Sequence, residues 1–272
     1  MEHVTAQGVE VPAIGLGTWR MTGETCRRAV GEALELGYRH VDTAQMYGNE
    51  RAVGAAIAAA DVDREEVFLT TKLALSNRTA EGVVRSTRAS LNRLRTEYVD
   101  LLLIHQPHPT VADAETLDAM GKLVDEGLVR HVGVSNFSVD RLQRAREASP
   151  APILTNQVQY HPFWDQTELL DYCRIHDLVL TAYSPLAHGG AIDDDTLDAI
   201  GARYGKSGAQ VALRWLIQQD GVVAIPKSTS REHLRANLAV FDFALTDREM
   251  DAIARPSLVR TAESFLRGRL PF

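Results

Sequence analysis

The run GYRHVDTAQMYGNE, Gly37–Glu50, carries a short apolar strand that ends at Asp42 and a turn that presents Tyr47. Two later apolar runs end in the same manner. VFLTTK, Val67–Lys72, delivers Lys72, and VDLLLIH, Val99–His105, delivers His105. An acid, a phenol, an amine and an imidazole at successive strand ends suit a parallel α/β barrel, which keeps its chemistry at the C-terminal face of its strands.

Working outward, short apolar runs alternate with amphipathic stretches along the chain. The runs centre on Ile14–Leu16, His40–Asp42, Val67–Thr71, Val99–Ile104, His131–Val134, Ile153–Val158, Leu178–Ala182 and Val222–Ile225. They are continuously apolar rather than alternating, as strands buried on both faces are. Between them lie helical stripes: Val53 with Ile57; Val84, Thr87, Leu91 and Leu94; Leu117, Met120 and Val124; and Val211, Ala212, Trp215 and Leu216. Gly127 is placed to end the third of these in a left-handed cap. Asp165 with Glu168, Ser207 and Ser230 read as helix N-caps. Strand followed by helix, eight times, predicts a closed (β/α)8 barrel as one domain over residues 1–272. An open doubly wound sheet that binds a dinucleotide would usually show G-x-G-x-x-G after its first strand. The first strand here runs into GLGTWR, Gly15–Arg20, which lacks the third glycine.

Length supports one barrel, since such folds run to about 250 residues and this chain has 272. The net charge of −7 comes without a basic block, so neither nucleic acid nor an anionic membrane is expected as a partner. No apolar run approaches a membrane span. The start MEHVTAQGVEVP has neither the basic residues nor the apolar stretch of a signal peptide, and a cytoplasmic monomer is the expectation. Cys26 and Cys173, without C-x-x-C spacing, suit a reducing compartment.

The four strand-end residues suggest proton delivery. A phenol with an ordinary pKa of about 10 is a poor acid at neutral pH, and a lysine ammonium beside it is expected to pull that value down. The buried ammonium needs a partner, which Asp42 supplies. A neighbouring histidine can polarise a carbonyl oxygen by donating to it. Taken singly, a strand-end Asp or Lys is as often a structural ion pair. His108, His161, His176 and His188 read as surface or packing residues, and His105-x-x-His108 has no convergent third ligand for a metal.

Eight blocks in order resemble the aldo-keto reductase family: GLGTW at Gly15–Trp19, the run from Gly37 to Glu50, Lys72, LLLIHQP at Leu101–Pro107, VGVSNF at Val132–Phe137, NQVQYHP at Asn156–Pro162, AYSPLA at Ala182–Ala187 and IPKSTSREHLRANL at Ile225–Leu238. Loop lengths are similar to those of the small prokaryotic branch that includes 2,5-diketo-D-gluconate reductases. The resemblance implies a barrel enzyme that reduces a carbonyl with hydride from a nicotinamide. Tyr47 would give the proton, Lys72 and Asp42 would tune it, and His105 would orient the substrate oxygen. By the same resemblance Ser135, Asn136 and Gln157 would hold the nicotinamide carboxamide, and Tyr183 would stack on the ring. Ser184 and Leu186 would meet the pyrophosphate, and Gly17, Thr18 and Trp19 the ribose and nicotinamide end. Lys227, Ser228 and Thr229 would take the adenosine 2′-phosphate at a helix N-terminus, a position that suits an anion.

The family commonly has arginine where this chain has His233, and an acidic residue where it has Ala236; Asn237 keeps an adenine contact. Histidine titrates near pH ~6.5 whereas arginine is always charged. NADPH is therefore expected to be preferred over NADH by a reduced margin, with Arg231 a candidate to compensate. Gln106 follows the strand-end histidine where most members carry tryptophan. With Trp19 as an aromatic wall, this favours small aldehydes, α-ketoaldehydes or sugar-derived ketones, unless Gln106 faces solvent. The tail Pro256–Phe272, with Phe265, Leu266, Leu270 and Phe272, would cross the barrel mouth or cover a helix edge. Two other functions share the barrel: a nicotinamide-binding regulatory subunit, and a Schiff-base aldolase using Lys72.

Overall fold

The computed structural model describes residues 2–192 and 194–254, so the tail Pro256–Phe272 lies outside the described residues. The chain opens with an antiparallel hairpin, β1 (His3–Ala6) and β2 (Val9–Pro12), paired from His3–Pro12 to Ala6–Val9. The alternating unit then begins. In order come β3 (Leu16–Gly17), α1 (Gly23–Leu36), β4 (His40–Asp42), α2 (Glu50–Ile57), β5 (Phe68–Leu73), α3 (Ala80–Leu94), β6 (Val99–Ile104) and α4 (Asp113–Asp125). They are followed by β7 (Val129–Ser135), α5 (Val139–Ala148), β8 (Ile153–Gln159), α6 (Thr167–Ile175), β9 (Val179–Tyr183), α7 (Asp195–Tyr204), α8 (Gly208–Ile217), β10 (Val222–Ala224), α9 (Arg231–Leu238) and α10 (Asp247–Ile253).

Strands β3 to β10 are parallel and neighbour one another in chain order. The sheet closes on itself. Ile14 bridges Ala224 in parallel, the Gly15 amide donates to the Ala224 carbonyl at 2.9 Å, and the Gly17 amide donates to the Pro226 carbonyl at 3.0 Å. The seam explains two glycines. A Cβ on Gly15 would stand 2.7 Å from the His40 ring, and one on Gly17 would stand 2.7 Å from the Ile225 carbonyl oxygen.

Alternation along the strands, hidden by their all-apolar composition, separates two cores. In β6, Leu102 and Ile104 face the helices while Leu101 and Leu103 face the barrel interior. Leu101, Leu103, Leu154, Val179 and Val223 meet Ala6 and Val11 of the hairpin, which plugs the floor. Above this layer the interior turns polar, with Thr155 and Thr181 hydroxyls 2.9 Å apart.

Some local expectations shift. Val83, not Val84, is the fully buried residue that starts the α3 stripe. Gly127 adopts φ +72° directly after the α4 cap, and the Leu128 amide reaches back to the Leu123 carbonyl at 3.0 Å. Ser207 and Ser230 cap α8 and α9. Asp165 lies one residue before the α6 cap, Gln166, and its carboxylate accepts from the Thr167 amide at 2.9 Å, so it closes a turn leading into the helix instead of forming a capping box with Glu168. The hairpin is an element the apolar runs did not signal, because its outward residues are polar.

Candidate active site

Strand parity decides which side chains enter the mouth. Asp42 follows His40 on the inner face of β4, and His105 continues the inner row Leu101, Leu103 one step beyond β6. Lys72 lies near the end of β5, between Thr71 and Leu73, which face the helices; Thr71 donates to Glu50 of α2 at 2.7 Å. Tyr47 comes from a single 3₁₀ turn, Gln45–Tyr47, closed by Gly48 at φ +68°.

Lys72 is fully buried, and its ammonium spends its three donors. They go to Asp42 Oδ1, to the Thr43 carbonyl at 3.0 Å and to Tyr47 Oη at 3.3 Å. Asp42 accepts on its other oxygen from Gln157 Nε2 at 2.8 Å. Burial works against the Lys72 charge, yet Asp42 and then Tyr47 outweigh it and hold the amine above its ordinary value. Because Lys72 donates to the phenol oxygen, the Tyr47 O–H is directed away from it. The Tyr47 and His105 rings meet edge to face, with centroids 5.7 Å apart. His105 is pushed down to about 4, by burial first and then by Lys72, so it is neutral at ordinary pH. Its Nδ1 is buried without a hydrogen-bond partner.

One expectation reverses. Tyr47 is raised above its ordinary value rather than lowered. Burial is the largest cause; Lys72 acts in the lowering direction but Asp42, sitting behind it, cancels part of that field. The phenol therefore keeps its proton through the neutral range.

Asp42, Tyr47 and His105 line a cavity of about 640 Å³, with Lys72 buried behind them. Of the residues expected at a cofactor, Gly17, Trp19, Ser135, Asn136 and Gln157 line it, as do Tyr183, Ser184, Leu186 and Lys227. The polar set is internally bonded: Ser135 Oγ donates to the Gln157 carbonyl at 2.7 Å, Asn136 Nδ2 to the His105 carbonyl at 3.1 Å, and the Tyr183 hydroxyl to Asn136 Oδ1 at 2.9 Å. Thr18 does not line the cavity; it is buried, and its amide and hydroxyl both donate to the Asp42 carbonyl. Around the start of α9, Lys227 and His233 are exposed, Thr229 is half-buried, and the Ser228 hydroxyl donates to the Ser230 carbonyl at 3.3 Å. Asn237 is buried and hydrogen-bonds the Tyr38 phenol. Arg231 is not turned to Lys227; it pairs with Glu35 of α1 at 2.7 Å.

Gln106 lines the cavity, and its carbonyl accepts from the buried Arg78 at 2.7 Å. Lining residues that were not anticipated include Arg20, Met46, Gln159, His188 and Ile192. Met46 and Arg20 each adjoin a recognised site residue. His188, expected to be a surface or packing residue, meets the Trp19 ring edge at 5.9 Å. It lies in a stretch where Ser184, Ala187 and His188 all have positive φ, a conformation uncommon for residues other than glycine. His108 instead accepts from the Thr110 and Val111 amides, and His176 stacks on Tyr172. Among the described residues no group of three or more potential ligands could hold a metal, and no helix is long and apolar enough to cross a membrane.

A protonated phenol, a neutral imidazole and a saturated ammonium at the mouth of a closed barrel form a centre suited to giving a proton to an oxygen. Residues 13–256 match the model of the aldo/keto reductase family, and the chain belongs to that family. It is 40% identical over 247 residues to the methylglyoxal reductase DkgB of Salmonella typhimurium, covering 90% of this chain and 92% of that protein. A crystal structure provisionally named a 2,5-diketo-D-gluconic acid reductase B superposes with a TM-score of 0.92 at 46% identity, over 93% of this chain and 90% of that one. An aldo-keto reductase of Bombyx mori, solved in complex with NADP, matches with a TM-score of 0.86 at 35% identity, over 93% and 92% of the two chains.

Proposed function

We propose that this protein reduces aldehyde and ketone carbonyls to alcohols, with Tyr47 as proton donor and NADPH preferred over NADH. The observation that carries the reading is the Lys72 ammonium, whose donors all go to Asp42, Thr43 and Tyr47. A lysine so engaged has no lone pair for a Schiff base, and it turns the phenol proton toward the cavity. The chain's residues fit a nicotinamide cofactor: the donors and acceptors of Ser135, Asn136 and Gln157 stand beside the Tyr183 ring, and Lys227 makes no ion pair with a described residue. When bound, the cofactor supplies the hydride. Lys227, with Ser228 and Thr229 at the N-terminus of α9, would hold the 2′-phosphate.

The substrate oxygen sits between Tyr47 and His105. With Nδ1 unpartnered, the neutral imidazole carries its proton on Nε2 and donates it to that oxygen. As negative charge develops there, Tyr47 transfers its proton and the nearby Lys72 charge stabilises the phenolate left behind. The cavity rim joins apolar Trp19, Met46 and Ile192 to polar Gln106, Gln159 and Arg20, which suits small α-ketoaldehydes and keto sugars. The Salmonella relative's name, methylglyoxal reductase, points the same way. A cytoplasmic monomer is part of this reading. The test is loss of nicotinamide absorbance with methylglyoxal and with a keto-sugar acid, using NADPH and NADH side by side. A protein inert toward both, or one faster with NADH at pH 6 and pH 8, would defeat the respective half of the proposal.

A further inference from the structure

The acid-bearing turn is fixed by two side-chain amides that flank Tyr47 and touch neither cofactor nor substrate in the reading above. Gln45, half-buried, accepts on Oε1 from the Ala74 amide and from Asn77 Nδ2, each at 2.9 Å. It donates from Nε2 to the Ser86 and Ser90 hydroxyls at 3.1 and 3.2 Å. Ala74 is two residues beyond Lys72, so this amide ties the Tyr47 turn to the end of the strand that carries the ammonium. Asn49, 2% exposed, accepts on Oδ1 from the Thr43 hydroxyl at 2.6 Å. Its Nδ2 donates to the Thr18 carbonyl at 2.9 Å and the Met21 carbonyl at 3.0 Å. Those two carbonyls bracket Trp19 and Arg20, the latter at φ +59°.

We infer that Gln45 and Asn49 are positioning residues with separate duties: Gln45 sets Tyr47 against Lys72, and Asn49 sets the Trp19 wall against Tyr47. The physical basis is saturation. Each amide makes at least three hydrogen bonds, Gln45 to the turn after β5 and to α3, Asn49 to Thr43 and to the Thr18–Met21 loop, so neither end of the turn can move without leaving a buried polar group unpaired. The Lys72–Tyr47 contact, at 3.3 Å, is long for a charge-assisted bond and has no rigid element of its own behind the phenol. Thr43 couples the two sides, since its carbonyl accepts from Lys72 and its hydroxyl donates to Asn49.

The inference rests on the carbonyl-reductase reading for its kinetic test, which uses methylglyoxal and the bulkier phenylglyoxal with NADPH. Gln45→Ala is expected to lower kcat roughly tenfold on both substrates with KM within about twofold, because proton delivery is lost while the walls stay in place. Asn49→Ala is expected to raise KM for phenylglyoxal roughly tenfold, and less for methylglyoxal, with kcat within about twofold. The conservative variants separate positioning from mere packing. Gln45→Glu keeps the acceptor for Ala74 and can accept from the two serines, so it recovers most of kcat. Asn49→Asp faces two carbonyls with no donor and recovers nothing.

Equal changes of kcat and KM in both alanine variants, or equal behaviour of the Glu and Asp variants, would overturn the inference. Should Asn49→Ala not fold, Thr43→Val removes only the hydroxyl on Asn49 Oδ1 and is expected to give the same KM change at smaller size; an unchanged KM there counts against the inference. Amide exchange gives a readout free of turnover. Faster exchange is expected at Thr18 and Met21 in Asn49→Ala and at Tyr47 and Ala74 in Gln45→Ala, with β6–β8 unchanged. Exchange unaltered at those amides would sink the positioning argument even in a protein that reduces no carbonyl, whereas a wild-type protein inert to both aldehydes with the exchange pattern intact would sink only the functional reading.

Discussion

At the floor of the barrel, Asp100 accepts from the Leu69 amide at 3.0 Å and from Arg64 at 2.8 Å on one oxygen, and from Arg130 at 3.1 Å on the other, while Tyr98 lies between the two guanidinium groups. At the mouth, Asp42 and Lys72 form a second buried pair beside Tyr47 and His105. Both carboxylates are almost wholly buried, but the cations differ. The Arg130 side chain is 44% exposed and Lys72 is 0% exposed. Water screens the floor, so its ion pairs mainly tie strand starts to one another. At the mouth the Lys72–Asp42 pair is shut off from water: burial first and Lys72 second hold His105 neutral, and burial keeps the proton on Tyr47.

The largest expected effect tests the mouth. Tyr47→Phe should lower kcat by about 10²–10⁴-fold, the usual worth of a positioned general acid, with the melting temperature little changed. A variant retaining most of its activity would remove the tyrosine from the chemistry and make the two ends alike.

Acid titration should show the next largest effect. His40 is pushed down to about 4 by burial, with Lys72 a lesser cause; His105 lies at about 4 from burial and Lys72, and His161 at about 4 from burial and His188. These lie below the ordinary histidine value of 6.5, so between the two the unfolded chain binds protons that the folded chain refuses. Their contribution is complete above pH 6.5 and is lost as pH falls toward 4, on the order of 2–3 kcal/mol for each histidine. Denaturant midpoints measured across that window should fall steeply; a flat profile would mean these sites are not dry.

At the floor, Asp100→Ala should cost about 1–3 kcal/mol through the orphaned Leu69 amide, leaving kcat/KM for a small aldehyde within about twofold. A large loss of activity would show that the floor is coupled to the chemistry. Smallest of all, Lys227→Met should weaken NADPH binding about five- to tenfold and NADH binding hardly at all, since an exposed lysine contributes only about 1 kcal/mol to a phosphate contact. Fluorescence titration with each nucleotide reads this directly; equal losses would place Lys227 away from the 2′-phosphate.

The parts legible in the sequence are those that composition marks. Continuous apolar runs announce buried parallel strands, and a lone Asp, Lys or His at the end of such a run is conspicuous. What composition does not mark was missed. The polar alternation of the hairpin looks like loop, and β6 is apolar on both faces, so its inner and outer rows are separated only by the floor plug and the helices. The rise in the Tyr47 pKa depends first on how much water is excluded and then on Asp42 lying behind Lys72, neither of which spacing reveals. His188 and Ile192 reach the mouth through a run of positive-φ residues without regular repeat. The Gln and Asn of AQMYGNE were visible all along, but an amide declares its role only when its partners, up to 45 positions away, are known.

The seam between Ile14 and Ala224 also has a consequence for how the chain reaches its native state. Every other strand pair of the barrel can form as soon as the next strand is synthesised, but this one must wait until almost the entire polypeptide has left the ribosome. Until then the growing sheet exposes an unpaired edge at β3 and another at its newest strand, and the inner leucines lie open to association with other chains. Closure over such a sequence distance is the slow, entropically costly event of assembly. A nascent chain stalled before Val222 should therefore be recognised by chaperones as a sticky open sheet, and the last short strand acts as the latch that turns it into an enzyme.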